Sequence, residues 1–156
     1  MLDKSDWGSL IPHQGGMCLL DTVVEWTSER IHARTDSHRR LDNPLRSDGL
    51  LRAVHLCEYG AQSMAVHGAL LARQSGQSAA PGFLVSLRGI SLRVERIDDL
   101  DGPLDVHGER LLGSESGWQY TFRIEFAGRE IAAGRAAVML RAGVAPGDAV
   151  GSHPVG

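Results

Sequence analysis

Residues 48–73 run without a proline and are apolar nearly all the way round a helical wheel, from Leu50, Leu51 and Val54 through Met64 and Val66 to Leu70. A surface helix shows one apolar stripe, whereas a helix that is apolar all round has to be covered on most sides. Asp48 or Ser47 is the expected N-cap and Gly76 lies just past the expected end. The rest of the chain must therefore wrap this helix.

The flanking sequence has the period of strands. Residues 17–26 and 30–35 are expected strands before the helix, with a turn at Thr27-Ser28-Glu29. After it come residues 83–97, with a bulge expected at Gly89, then 104–112, 118–126 and 130–140. Ala127-Gly128-Arg129 is a tight turn between the last two strands. Residues 5–11 form a short opening helix with Ser5 as N-cap and Pro12 as its stop, and the polar residues 36–47, with Pro44, form a loop. Two strands, a buried helix and four more strands imply an α+β fold, an antiparallel sheet of about six strands around one helix. A length of 156 residues suits a single domain over residues 1–141. Residues 142–156 have no pattern and are expected to be a disordered tail.

Composition excludes several classes. Lys and Arg number 16 against 19 Asp and Glu, and the only dense basic group is Arg39-Arg40 beside His38, so nucleic acid is not an expected partner. Cys18 and Cys57 cannot make a disulfide framework or a four-ligand zinc site and are read as reduced, buried thiols. No metal or cofactor is expected. The first residues lack the apolar core of a secretory signal, and no apolar run is long enough to span a membrane, so the expected compartment is the cytoplasm.

Chemistry concentrates on His55, Glu58 and Gln62. At about 100° per residue these project within roughly 60° of one another, as a polar stripe on an apolar helix. A buried carboxylate is costly unless hydrogen-bonded. Two readings remain open. Glu58 is tied to Gln62 or His55 as a structural network, or it is a carboxyl group poised for proton transfer.

Glu58-Tyr59-Gly60-Ala61-Gln62 resembles the Glu-x-x-Ala-Gln motif on the central helix of hotdog-fold 3-hydroxyacyl-ACP dehydratases. Residues 10–21, Leu-Ile-Pro-His-Gln-Gly-Gly-Met-Cys-Leu-Leu-Asp, resemble the opening Ile-Pro-His-Arg-x-Pro-x-Leu-Leu-Val-Asp segment of the same family. The spacing of the two fits, and the likeness covers residues 9 to about 140. The subgroup it most resembles is the dehydratases of aryl polyene clusters. The resemblance implies a hotdog fold, an acyl-ACP or acyl-CoA thioester as substrate, and a homodimer or a heterodimer with another hotdog chain paired through an edge strand. It also implies Glu58 as catalytic acid, with Gln62 holding its carboxyl group. His13, in the second motif, is the candidate for the other catalytic group, and its alternative is a plain turn residue after Pro12.

One departure matters. In the main family a His-x-Pro segment before the helix supplies the base, and the matching stretch here, Asp42-Asn43-Pro44-Leu45, has no histidine. Backbone N–H groups near Gly49, Leu50 and Leu51, at the expected helix start, are candidates to bind the thioester oxygen. His55 is a further candidate beside the substrate. Three functions stay open: a dehydratase, a thioesterase that uses Glu58 alone to activate water, and a non-catalytic subunit that binds acyl-ACP.

Overall fold

The computed structural model describes residues 1–12, 15–76, 82–114 and 117–140. The chain opens with β1 (Leu2–Asp3) and α1 (Lys4–Trp7), followed by β2 (Thr22–Trp26) and β3 (Arg30–Thr35). Then come the long helix α2 (Leu56–Gln74), β4 (Gly82–Leu92), β5 (Leu104–Ser114), β6 (Gly117–Phe126) and β7 (Arg129–Leu140). The strands form one antiparallel sheet in the order β1-β2-β3-β5-β6-β7-β4. This is the expected α+β hotdog arrangement, with seven strands rather than about six. The extra one is two residues long and pairs Leu2 with Val23. The expected tail, residues 142–156, lies outside the described residues.

The sheet wraps α2 on one side. Helix α2 packs mainly against β3, β5 and β6. Leu56, Tyr59, Val66 and Leu70 meet Ile31, Val106, Phe122 and Ile124 in a single core. The approach is close: a Cβ placed on Gly60 would lie 2.6 Å from the Phe122 ring. Only glycine lets the helix sit this low on the sheet.

The helix starts later than its sequence suggests. Asp48 and Gly49 have φ of 55° and 75°. Ser47 and Leu50 exchange hydrogen bonds, N–H to C=O, of 2.8 and 2.9 Å. This is a two-residue turn of the kind Asp-Gly favours, so Asp48 is not an N-cap. The chain then runs extended beside residues 95–97, with the Ala53 N–H on Glu95 O (3.0 Å) and the Ile97 N–H on Leu51 O (2.9 Å). A 3-10 turn at Ala53–His55 leads into α2.

Other boundaries move for related reasons. β4 ends at Leu92 rather than residue 97, because residues beyond it leave the sheet to meet residues 51–53. The bulge at Gly89 is present, with φ of 59° and a register shift between Arg88 and Ser91. Asp3 rather than Ser5 caps α1, in a capping box with Asp6. β2 starts at Thr22, since Met17 and Leu19 bond to the side chains of Gln62, Thr35 and Ser37 rather than to the backbone of a strand.

Candidate active site

The two sides of α2 differ in how their polar groups are used. Where α2 is buried, every one of Gln62, Ser63 and His67 is spoken for. Gln62 is fully buried. Its Oε1 accepts the Leu19 N–H at 2.8 Å and its Nε2 donates to Met17 O at 2.6 Å. The Ser63 hydroxyl donates to Gly60 O at 2.7 Å. His67 lies between Tyr120 Oη (Nδ1, 2.8 Å) and Thr27 O (Nε2, 2.8 Å). The carbonyl can only accept, so Nε2 carries the proton and Nδ1 accepts from the tyrosine. Burial holds the His67 imidazole below its usual range and pushes the Tyr120 phenol up to about 12.

On the other side lie Cys57, Glu58, Ala61, Ala65 and Gly68, all half-buried. Glu58 is the only carboxylate on α2. Among the described residues nothing bonds to it. This corrects the expected stripe: Glu58 and Gln62 are one turn apart but share no hydrogen bond, because both amide atoms of Gln62 hold the backbone of Met17 and Leu19. His55 lies one turn before Glu58, half-buried, and its imidazole makes no hydrogen bond among the described residues. Burial raises the Cys57 thiol, and the Glu58 charge beside it adds to the effect.

The loop before the helix is a closed polar network that the sequence pattern did not reveal. The Thr35 and Ser37 hydroxyls donate to Leu19 O at 2.5 and 2.6 Å. Ser37 Oγ also meets Tyr59 Oη at 2.9 Å. Asn43 Nδ2 donates to Ser37 O at 2.9 Å and to Tyr59 Oη at 3.3 Å, while its Oδ1 accepts the Leu45 N–H at 2.9 Å. Burial raises the Tyr59 phenol, against the lowering effect of these hydrogen bonds. The one available signal was Tyr59, one residue from Glu58 and hence about 100° round the helix, which places its hydroxyl on the loop side.

Asn43 stands in the stretch where the main dehydratase family carries its histidine, and here that stretch is structural. His38 does not replace it. It is fully buried, with Nε2 3.2 Å from Leu100 O, and burial keeps its imidazole below the usual range. His32 bonds to Asp105 at 2.7 Å and stacks on His107 on the outer face of the sheet. No described histidine pairs with Glu58. His13 lies outside the described residues, just before the segment that Gln62 anchors.

The expected thioester donors are also reassigned. The Leu50 N–H bonds to Ser47 O, and the Leu51 N–H donates to Asp98 Oδ1 at 2.9 Å. Arg96 grips the same carboxylate and, with Leu51, outweighs its burial to pull it down to about 2. Gly49 belongs to the turn, not to a helix start. These three residues brace the approach to α2. Among the described residues no cluster of His, Cys, Asp and Glu can hold a metal, and no helix is long and apolar enough to cross a membrane.

Comparison with known proteins follows the same lines. Residues 6–145 match the family model described as ApeP-like, ApeP dehydratase. The structure resembles the dehydratase heterocomplex ApeI:P from Xenorhabdus doucetiae, with a TM-score of 0.76 at 21% identity over 85% of this chain and 88% of that one. It also resembles a hypothetical thioesterase with coenzyme A from Streptococcus pneumoniae, with a TM-score of 0.58 at 13% identity over 77% and 84% of the two chains. A Staphylococcus aureus thioesterase gives 0.56 at 10% identity over 77% and 92%. A comparison with curated proteins finds no match.

Proposed function

The chain belongs to the ApeP-like dehydratase family, and from that premise we propose that it dehydrates 3-hydroxyacyl thioesters carried on acyl carrier protein, in the cytoplasm and as one half of a pair of hotdog chains. The reaction removes a proton from C2 and expels the C3 hydroxyl as water, leaving a double bond conjugated with the thioester. It needs a base, an acid and a donor to the thioester oxygen.

The observation that carries this reading is the contrast on α2. Every polar side chain on its buried side is satisfied, while Glu58 sits half-buried on the other with no partner among the described residues. A structural carboxylate would be bonded. We assign Glu58 as the acid that protonates the leaving hydroxyl. By holding Met17 and Leu19, Gln62 fixes the segment that follows His13, the candidate base. Asn43 cannot take a proton, and the His38 imidazole is turned into the core. A second hotdog chain is the other source of a base, and the Xenorhabdus structure is that of a dehydratase heterocomplex.

A specific observation favours a second reading. With no described histidine beside Glu58, a lone carboxylate that activates water suits thioester hydrolysis. The two are separated by supplying a 3-hydroxyacyl-ACP and a saturated acyl-CoA to the protein, alone and mixed with a second hotdog chain. A dehydratase yields the 2-enoyl thioester, and His13→Ala lowers its rate more than His55→Ala. Release of free thiol from either substrate replaces this reading with the hydrolase. If nothing turns over alone and the mixture is no more active than the second chain by itself, the chain is non-catalytic.

A further inference from the structure

β4 is one edge of the sheet, and it is unlike an edge that a chain leaves to water. It is eleven residues long and contains no acidic residue. Leu87 and Leu92 pair with the buried Ala136 and Ala132, so they lie on the face towards the helix, and Ile90 reaches over Gly134. All three are more than a third exposed, because α2 packs on β3, β5 and β6 rather than here. Long apolar edges invite pairing with another strand.

The outer face of the same edge carries a second signal. Arg88 and Arg135 stand directly opposite each other on β4 and β7. Both are exposed, and among the described residues neither has an ion-pair partner. Like charges directly opposite one another weaken a sheet. The arrangement has no benefit within this chain, since Thr121 is the next residue in the row on β6.

We propose that this edge selects its partner by charge: it pairs with a different chain whose edge strand presents carboxylates on the outer face, and it resists a second copy of itself. The proposal rests on the heterodimer reading above and adds what decides between partners. Two copies of β4 paired antiparallel over their full length would meet near Leu87, with Arg88 of each beside the axis and Arg135 one strand further in. Four guanidinium groups would then share one surface with no carboxylate on either β4. An acidic edge in the same place would pair with both arginines. Discrimination of this kind combines attraction to one partner with repulsion of the other.

The test uses charge-altered copies of the full chain. Sedimentation velocity at micromolar concentration compares the wild type with a copy carrying Arg88→Glu and Arg135→Glu, and with a copy carrying Arg88→Ser and Arg135→Ser. In about 50 mM salt, the wild type mixed with the Glu copy should associate about tenfold more tightly than the wild type with itself. The Ser copy should self-associate more tightly than the wild type. Both differences should shrink in about 1 M salt, where the screening length falls to roughly 3 Å. Equal affinity for self and for the Glu copy overturns the charge rule while leaving β4 an interface. No association in any mixture overturns the edge as well. Neither result touches the dehydratase reading, which is decided by product. A natural second hotdog chain that fails to bind, while the Glu copy binds, removes the heterodimer reading and keeps the rule.

Discussion

The two sides of α2 are made by the same nineteen residues and do opposite work. On its buried side, Gln62, Ser63 and His67 are fully bonded, and Gln62 and His67 fix the helix against Met17, Leu19, Thr27 and Tyr120. On the other side Glu58 is held among small residues and bonded to nothing described. A polar group that has used all its hydrogen-bonding capacity inside the protein is part of the framework. One kept half-buried without a partner is available to a substrate. The predictions that follow would sharpen or break that division.

The largest expected effect is on the framework side. Gln62→Leu leaves the Leu19 N–H and the Met17 carbonyl without their partner in a buried place. Each orphaned group costs on the order of 1–3 kcal/mol, so urea denaturation should show a loss of about 3 kcal/mol or more. A loss under about 1 kcal/mol would mean that the segment after His13 is held by something else.

Glu58→Gln should do the reverse. Turnover should fall about 10²-fold or more, roughly 2.7 kcal/mol of barrier, while stability stays within about 0.5 kcal/mol of the wild type. Wild-type turnover in a folded variant would take Glu58 out of the mechanism. A large loss of stability would move it to the framework.

Two glycines test the same division by packing. Gly60→Ala drives a methyl group into Phe122 and should destabilise by about 1–3 kcal/mol, less the helix preference of alanine. At Gly68 a Cβ meets nothing within 4 Å. Gly68→Ala should therefore stabilise by about 0.5–1 kcal/mol. Equal responses in thermal melts would show that the two sides are not packed differently.

The smallest effect is with pH. Burial lowers the folded-state pKa of His38 and of His67. The unfolded chain then binds protons below about pH 6.5 that the folded chain refuses. The contribution of these residues is complete above that value. It is lost as the pH falls from there towards the folded-state pKa, at no more than about 1.4 kcal/mol per unit for each histidine. Asp98 has its folded pKa at about 2. Its contribution is present above the unfolded carboxylate value near 3.9 and is lost only in strong acid. Flat stability between about pH 6.5 and 5 would mean that the two histidines are not buried neutral in solution.

Sequence alone determined a good deal. The length and apolarity of residues 48–73 required a covered helix, and strand periodicity located four of the six expected strands to within two residues, the other two being five residues too long at one end. Those signals are local, because side-chain spacing records which face of an element is buried. The Glu58 motif and the absence of a histidine from residues 42–45 were equally legible. Local signals failed where a contact came from far along the chain. Asp48-Gly49 followed the apolar pattern into the helix, yet its turn chemistry and the bonds of Leu51 and Ala53 to residues 95–98 set the true start at Leu56. Gln62 lies 40° round the helix from Glu58 by spacing, but its amide was claimed by a backbone segment more than forty residues away. Spacing along a helix says which side chains can meet. Only the tertiary structure decides which of several available partners, near or distant, satisfies each polar group, because a buried amide binds whatever donor and acceptor the packed chain brings to it.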